Sequence, residues 1–251
     1  MRSEKITFLN KKGIELAARL DRPDEEPIAY ALAAHCFTCS KDVLAMHYIS
    51  QSLIAHGIGV MRFDFTGLGS SDGEFAQSHF SSNLEDIRAA IAYLNEHRIA
   101  PAIMFGHSLG GTAILATAGE VPSVKLVATI GSPYEPAHAT HFFDGMEEMM
   151  EKDAEACVTL GGRRFTINRK FLEDLNSHSM DKAIKSIDAY KIIFHDPEDE
   201  IVEIENARFI FEAALHPKSF IALPGAGHML NKQRDAEMVG SILDAVIRKV
   251  L

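Results

Sequence analysis

Gly106-His107-Ser108-Leu109-Gly110 sets a serine between two glycines, directly after the apolar run Ala102–Phe105 and before the helical pattern of Leu109–Ala118. A G-x-S-x-G match alone is modest, since composition would produce one in about a tenth of chains this long. The strand–turn–helix setting gives it meaning. A turn that tight strains the serine backbone and tolerates no side-chain bulk on either side. Gly106 and Gly110 meet that demand, and Gly111 lets the helix approach the sheet. Ser108 would then stand at the C-terminal edge of a sheet, where open α/β folds bind ligands. The Leu109 N–H, at the helix start, would point to where an oxyanion forms. The bland alternative is a glycine-rich packing turn with an incidental serine.

A serine hydroxyl is a poor nucleophile until a base removes its proton. In this setting the acid and then the histidine follow the serine along the chain. Of twelve histidines, His228 in Gly225-Ala226-Gly227-His228-Met229 fits best, because a glycine-rich loop there leaves the strand Ser219–Leu223 at its C-terminal end. His216 precedes that strand and belongs on the surface at the opposite edge. His107 and His195 read as neighbours of the site or as packing residues. The acid, which orients and stabilises the charged imidazole, should lie after Lys191–Phe194. Asp196, Glu198, Asp199 and Glu200 compete there. Asp199 is favoured because Ile201-Val202 would anchor the loop. Spacing leaves Asp196 and Glu198 open, and the unused acids are expected on the surface.

His35-Cys36-Phe37-Thr38-Cys39-Ser40 follows another strand-like run, Ile28–Ala34, and its Cys-x-x-Cys spacing suits a dithiol or, with His35, a metal. Gly67-Leu68-Gly69-Ser70-Ser71-Asp72-Gly73 is not a dinucleotide fingerprint, because Asp72 stands where glycine is required, and reads as a tight loop beside the site. Neither a Walker sequence nor H-E-x-x-H occurs.

The elements that must position these residues alternate. Lys5–Leu9 and Ile14–Leu20 flank Lys11-Lys12-Gly13 as an opening hairpin. The apolar runs Ile28–Ala34, Ile58–Phe63, Ala102–Phe105, Val124–Ile130, Lys191–Phe194 and Ser219–Leu223 are separated by helical patterns at Asp42–Ala55, Leu84–Leu94, Leu109–Ala118, Glu203–Leu215 and Lys232–Val250. Ser82-Asn83-Leu84-Glu85 reads as a capping box. Strands alternating with amphipathic helices predict one α/β domain over 1–251, with a mainly parallel sheet covered on both faces. From Pro133 to about Ile187 no strand pattern is evident. That stretch carries Phe142, Phe143, Met146, Met149 and Met150 and reads as a lid inserted at about 134–187. The basic cluster Arg163, Arg164, Arg169 and Lys170 reads as a solvated face.

With 25 Lys and Arg against 35 Asp and Glu, the formal charge is −10, which disfavours nucleic acid and anionic membrane surfaces as partners. No apolar run approaches the roughly 18 residues of a membrane span. The opening MRSEKITFLNKKG has no signal-like apolar core, so a cytoplasmic location is expected. Three cysteines argue against a disulfide-stapled domain. Nothing in the composition sets an oligomeric state.

Arg62–Ser71, Gly106–Gly111, Asp199 and His228 together resemble the α/β-hydrolase superfamily of serine esterases. The chain is similar to cinnamoyl/feruloyl esterases, to serine-aminopeptidase-like hydrolases, and to the hydrolase half of fusions with an osmotically induced peroxidase-type domain. The resemblance covers nearly the whole chain. It implies an α/β-hydrolase fold with flanking helices, an antiparallel strand at the N-terminal edge and a helical lid. It implies hydrolysis of a small-molecule ester without metal or other cofactor, with Ser108, Asp199 and His228 catalytic. In that family the loop after the Ile28–Ala34 strand donates the second oxyanion N–H, which assigns Phe37 and Leu109 as the pair. Cys36 stands where glycine is usual, which would be costly if φ there had to be positive. His35, Cys36, His107, Phe142, Phe143 and Met146 are the expected pocket and lid residues. Cys36 and Cys39 then become small, partly buried side chains. Thioester and peptide bonds yield to the same machinery. A non-catalytic binding module and a thiol-redox protein are the readings of other classes.

Overall fold

The structure, a computed structural model, describes residues 1–143, 155–160 and 163–251. Its main sheet is built from the apolar runs. Ala29–Ala34 (β3), Ile58–Phe63 (β4), Ile103–His107 (β5), Leu126–Ile130 (β6) and Tyr190–His195 (β9) are buried almost throughout. Strands covered on both faces need apolar side chains on both, which is why these segments read as continuous runs. Arg2–Leu9 (β1), at an edge, instead buries Ile6 and Phe8 and exposes the residues between them. Glu15–Arg22 (β2) and Lys218–Ala222 (β10) complete an eight-stranded sheet in the order β1-β2-β4-β3-β5-β6-β9-β10. β2 runs antiparallel to both neighbours, and every pair from β4 to β10 is parallel. The opening hairpin therefore sits at the edge predicted for it.

Helices fill both faces. Leu44–Ala55 and Gln233–Val250 pack Met46, Ile49 and Leu53 with Val239, Leu243 and Ile247 on one side. Phe80–Glu96 and Leu109–Thr117 bring Leu84, Ile87, Leu94 and Ile114 to the other. The first of that pair starts earlier than the sequence suggested. His79 is its cap: Nδ1 accepts the Ser82 N–H at 3.0 Å, and Ser82 Oγ accepts the His79 N–H at 2.9 Å. Ser82 thus closes the box from within the first turn, and Glu85 pairs with Arg88 at 2.6 Å. The buried Phe80 extends the apolar face backwards, which draws the helix start with it.

The insertion also departs from expectation. Glu155–Leu160 (β7) and Arg163–Asn168 (β8) form an antiparallel hairpin, with Ala156 opposite Ile167 and Val158 opposite Phe165. These four are buried while Cys157, Thr159 and Arg164 face out, a period-2 pattern only two residues deep on each strand. Helices Arg169–Ser177 and Asp181–Lys185 follow. Arg169 pairs with Glu173 at the surface, and Arg164 and Lys170 are exposed, as a solvated face requires. Phe142 and Phe143 end a 3-10 segment, Pro136–Phe143. Their side chains, and Met146, Met149 and Met150 altogether, lie outside the described residues. Among the described residues no helix is long and apolar enough to cross a membrane.

Candidate active site

Because β3, β5, β6, β9 and β10 are parallel, the loops after them emerge along one sheet edge. Register brings them level: Ala34 faces Gly106, His107 faces Ile130, Ile130 faces Phe194 and His195 faces Ala222. The segments beginning at His35, Ser108, Gly131, Asp196 and Leu223 therefore share one short stretch of edge, where ligands of open α/β sheets bind.

Ser108 has φ 52° and ψ −131°, a left-handed backbone foreign to most side chains. Its N–H donates to the Ile130 carbonyl at 2.9 Å. The flanking glycines are steric necessities. A Cβ on Gly110 would lie 2.2 Å from the His35 carbonyl oxygen, and one on Gly106 would lie 2.5 Å from that of Gly110. The helix can thus start against the end of β3 with the hydroxyl at its head.

His228 Nε2 lies 3.2 Å from Ser108 Oγ, and His228 Nδ1 lies 2.8 Å from Asp199 Oδ2. The carboxylate accepts the Nδ1–H, which leaves the Nε2 lone pair facing the hydroxyl. Asp199 Oδ1 accepts the N–H groups of Ile201 at 2.9 Å and Val202 at 3.0 Å. Burial alone would push this carboxyl up, but the His228 bond and the two backbone donors outweigh it and hold Asp199 below the usual carboxylate range. Such a serine, imidazole and carboxylate can take a proton from the hydroxyl and return it to a leaving group.

The residues around this chain of bonds fix it in place. His107 donates Nε2–H to the His228 carbonyl at 2.7 Å, and His195 donates Nε2–H to the Val202 carbonyl at 2.7 Å. Burial pushes His107 down to about 3 and also lowers His195, so both stay neutral at neutral pH. Glu198 and Glu200 are exposed, and so is His216, just ahead of β10. Asp196 is not at the surface as expected. It is buried, and its carboxylate accepts N–H bonds from Gly227 at 2.6 Å, Glu198 at 3.0 Å and Gly225 at 3.3 Å. An acid immediately after a strand end can turn inward once backbone donors compensate its burial.

The loop after β3 carries a second correction. Cys36 and Cys39 are joined in a disulfide with Cα atoms 5.4 Å apart, rather than standing as separate small side chains. Positive φ falls on Thr38, at 63°, and not on Cys36, so cysteine in the usual glycine position costs nothing there. The buried His35 donates Nδ1–H to the Cys36 carbonyl at 2.8 Å and accepts the Phe65 N–H at Nε2, 3.3 Å away. A trans peptide directs its C=O and N–H oppositely, so this bond turns the Phe37 N–H away from His35. Phe37 and Leu109 line one cleft with Phe75 and Phe171. As the first helical residue, Leu109 has no intrahelical acceptor for its N–H.

Sequence reasoning missed the anchor beneath this loop. Asp64, fully buried, accepts the Lys41 N–H and Nζ, both at 2.6 Å, and the Ser70 N–H at 2.8 Å. Arg62 donates to the Lys41 carbonyl at 2.8 Å and pairs with Asp21 at 2.8 Å. A buried strand ending Arg-Phe-Asp was the available signal, since charges so placed must be paired. Gly67, Gly69 and Gly73, all at positive φ, make the tight turn that follows. Among the described residues no group of three or more His, Cys, Asp or Glu is arranged to hold a metal ion.

Residues 27–191 match the family model described as Serine aminopeptidase, S33. The monoacylglycerol lipase of Mycolicibacterium smegmatis is 27% identical over 134 residues, which span 53% of this chain and 47% of the lipase, under half its length. The human mitochondrial palmitoyl-protein thioesterase ABHD10 is 23% identical over 254 residues, covering 98% of this chain and 81% of that protein. The esterase domain of a Rhodothermus marinus protein is 46% identical over 99% of both chains, with a TM-score of 0.81. Est1E of Butyrivibrio proteoclasticus with bound ferulic acid, 19% identical over 98% of this chain and 99% of its own, shares the fold at a TM-score of 0.81. The chain has the α/β-hydrolase fold and belongs to the hydrolase family described as Serine aminopeptidase, S33.

Proposed function

We propose that this hydrolase cleaves carboxylic esters through an acyl-enzyme, with Ser108 as nucleophile, His228 as general base and acid, and Asp199 as its partner. The observation that carries this reading is the continuous relay from Asp199 Oδ2 through His228 to Ser108 Oγ, at 2.8 and 3.2 Å. Ser108 Oγ attacks the ester carbonyl while His228 Nε2 takes its proton. The oxyanion is received by the N–H groups of Phe37 and Leu109. His228 then protonates the departing alcohol, and water, activated by the same nitrogen, releases the acid.

The cleft beside the two donors is walled by Phe37, Phe75 and Phe171, with Phe165 4.8 Å from Phe75 between ring centroids. The space between these rings is only about 10 Å³, so the rings must part to admit an acyl group. Their chemistry suits one that is small and partly apolar or aromatic. Ferulic acid on Est1E, a neighbour in fold, is of that kind. The substrate is a small molecule, and the reading involves neither nucleic acid nor membrane, in keeping with a charge of −10 and a cytoplasmic setting. A thioester is the second reading, favoured by similarity to a palmitoyl-protein thioesterase over 98% of the chain.

The test is hydrolysis of p-nitrophenyl esters of graded acyl length beside the matched acyl thioesters, for wild type and Ser108→Ala. Short and aromatic esters should lead, with the variant at background. Equal rates for the two proteins, or fluorophosphonate labelling at another residue, would overturn the assignment. A preference for long-chain thioesters would select the second reading.

A further inference from the structure

One covalent bond at the site takes no part in acyl transfer. The Cys36–Cys39 disulfide closes a ring around Phe37 and Thr38, and Phe37 supplies one of the two oxyanion donors in the hydrolase reading above. The chain is held firmly on either side of that ring. Before it, His35 is buried and bonded at both ring nitrogens. Beyond it, Lys41 is tied to the buried Asp64 by backbone and side chain. Within the ring, Thr38 sits at φ 63°, a region that a β-branched residue keeps only when its surroundings impose it. The Cys39 N–H to Cys36 carbonyl bond, at 3.2 Å, is the backbone bond that spans the turn. Breaking the disulfide therefore releases its slack into Phe37 and Thr38.

We propose that Cys36–Cys39 is a thiol–disulfide exchange site in the oxyanion loop, and that its reduction by a dithiol lowers acyl transfer at Ser108. Cys39 is half-buried where Cys36 is buried, so the incoming thiolate attacks Cys39 Sγ. The Cys36–Cys39 bond breaks, its electron pair leaves on Cys36 Sγ, and that sulfur takes up a proton. The second thiol of the reductant then displaces Cys39 and closes the reductant's own disulfide. Two electrons and two protons finish on the two cysteines. Cys157 stands apart, exposed on the hairpin of the insertion. In a reducing compartment a disulfide is characteristically catalytic or redox-sensing rather than a permanent staple, which fits a bond laid across a working loop.

The consequence is geometric. An oxyanion donor acts within about 2.7–3.1 Å of the oxygen, and loss of one costs roughly 10²–10³ in kcat. Once Thr38 relaxes, the Phe37 peptide turns with it. The Phe37 ring, 5.5 Å from that of Phe171 and 5.6 Å from that of Phe75, resists part of the movement. The expected loss on reduction is therefore about 10- to 100-fold in kcat, below full removal of the donor.

The experiment compares the full chain as purified without reductant and after treatment with dithiothreitol, removed by gel filtration before assay. Denatured thiol counts should be one and three. On a p-nitrophenyl ester the reduced form should lose kcat at little changed KM. Its affinity for a trifluoromethyl ketone should weaken in parallel, and reoxidation should restore both. Cys39→Ser should match the reduced form and ignore dithiothreitol. Fluorophosphonate labelling of Ser108 should slow on reduction whatever ester is used. Three titratable thiols before treatment, or equal Ser108-dependent rates in both forms with only the melting temperature altered, would overturn the proposal. Activity that survives Ser108→Ala would instead overturn the hydrolase reading, and this one with it.

Discussion

His107 holds His228 by its backbone: the His107 Nε2–H donates to the His228 carbonyl oxygen at 2.7 Å, with the two ring centroids 5.0 Å apart. The residue inside the G-x-S-x-G turn thus locks the loop that carries His228. Burial lowers the proton affinity of His107 to about pKa 3, against 6.5 for a free side chain, and the charge of His228 adds to the effect. Between those values the unfolded chain binds the proton and the folded chain does not, so stability falls as pH drops from 6.5 towards 3. At 1.36 kcal/mol per unit, His107 alone should account for about 3 kcal/mol of loss by pH 4. His35 and His195, also lowered by burial, act in the same direction. In His107→Gln the amide can still donate to the His228 carbonyl but does not titrate. Urea unfolding at pH 7 and pH 4 should show a correspondingly smaller loss for the variant, and equal losses would refute the assignment.

Asp199→Asn should remove activity while leaving the fold in place. Oδ1 accepts two backbone N–H groups, and Oδ2 faces His228 Nδ1. An asparagine must keep its oxygen on the backbone donors, which turns its NH₂ toward the imidazole. His228 would then carry its proton on Nε2, where it cannot receive one from Ser108. A fall of about 10⁴ in kcat follows from that tautomer reversal, with KM nearly unchanged. A fall under about tenfold in steady-state assays would show that another acid orients His228.

Much of this arrangement was legible because single residues had to meet single demands. The Ser108 turn could be recognised from two glycines after an apolar strand, since a Cβ at Gly110 would strike the His35 carbonyl. The end of the last parallel strand pointed to His228, while the end of the strand before it offered four acids, among which Asp199 was favoured by the Ile201-Val202 pair that follows it. What stayed hidden depends on pairings between segments that share no local pattern. The inward turn of Asp196 is set by backbone donors 29 and 31 residues away, at Gly225 and Gly227. The β7–β8 hairpin has too few alternating positions to separate it from a loop. The Cys-x-x-Cys stretch read as two separate small side chains, and only the turn at Thr38 brings their Cα atoms to 5.4 Å.

Asp64→Asn tests the anchor beneath the Cys36–Ser40 loop. Asp64 receives three bonds, two of them from Lys41, whose side chain is itself largely buried. Removing one partner of a buried ion pair strands the other, at a cost of roughly 3–5 kcal/mol. Denaturant unfolding should show a loss in that range. Because the same residue holds the far end of the Cys36–Ser40 turn, kcat should fall as well, even at temperatures where the variant remains folded. A stability change below about 1 kcal/mol would mean that Lys41 finds water or Asp42 as a substitute partner.

Asp196 offers the sharpest separation between positioning and chemistry, because it touches neither Ser108 nor the His228 ring. Its carboxylate accepts the N–H groups of Gly225 and Gly227, both at positive φ in a loop with little stiffness of its own. His107 secures the His228 carbonyl from the other side, so the backbone around the imidazole is held at two points. Burial would raise the Asp196 carboxyl, but the bonds from Glu198, Gly227 and Gly225 outweigh it and keep it lowered and ionised. Asp196→Ala should free the loop on one side and let Nε2 drift from Ser108 Oγ. A misplacement near 1 Å costs about 10²-fold in such reactions, so kcat should fall between roughly 10- and 100-fold at constant KM. Asp196→Asn keeps one acceptor oxygen and should fall less. If both variants lost only thermal stability, with wild-type kcat at 25 °C, the loop would be held by His107 alone.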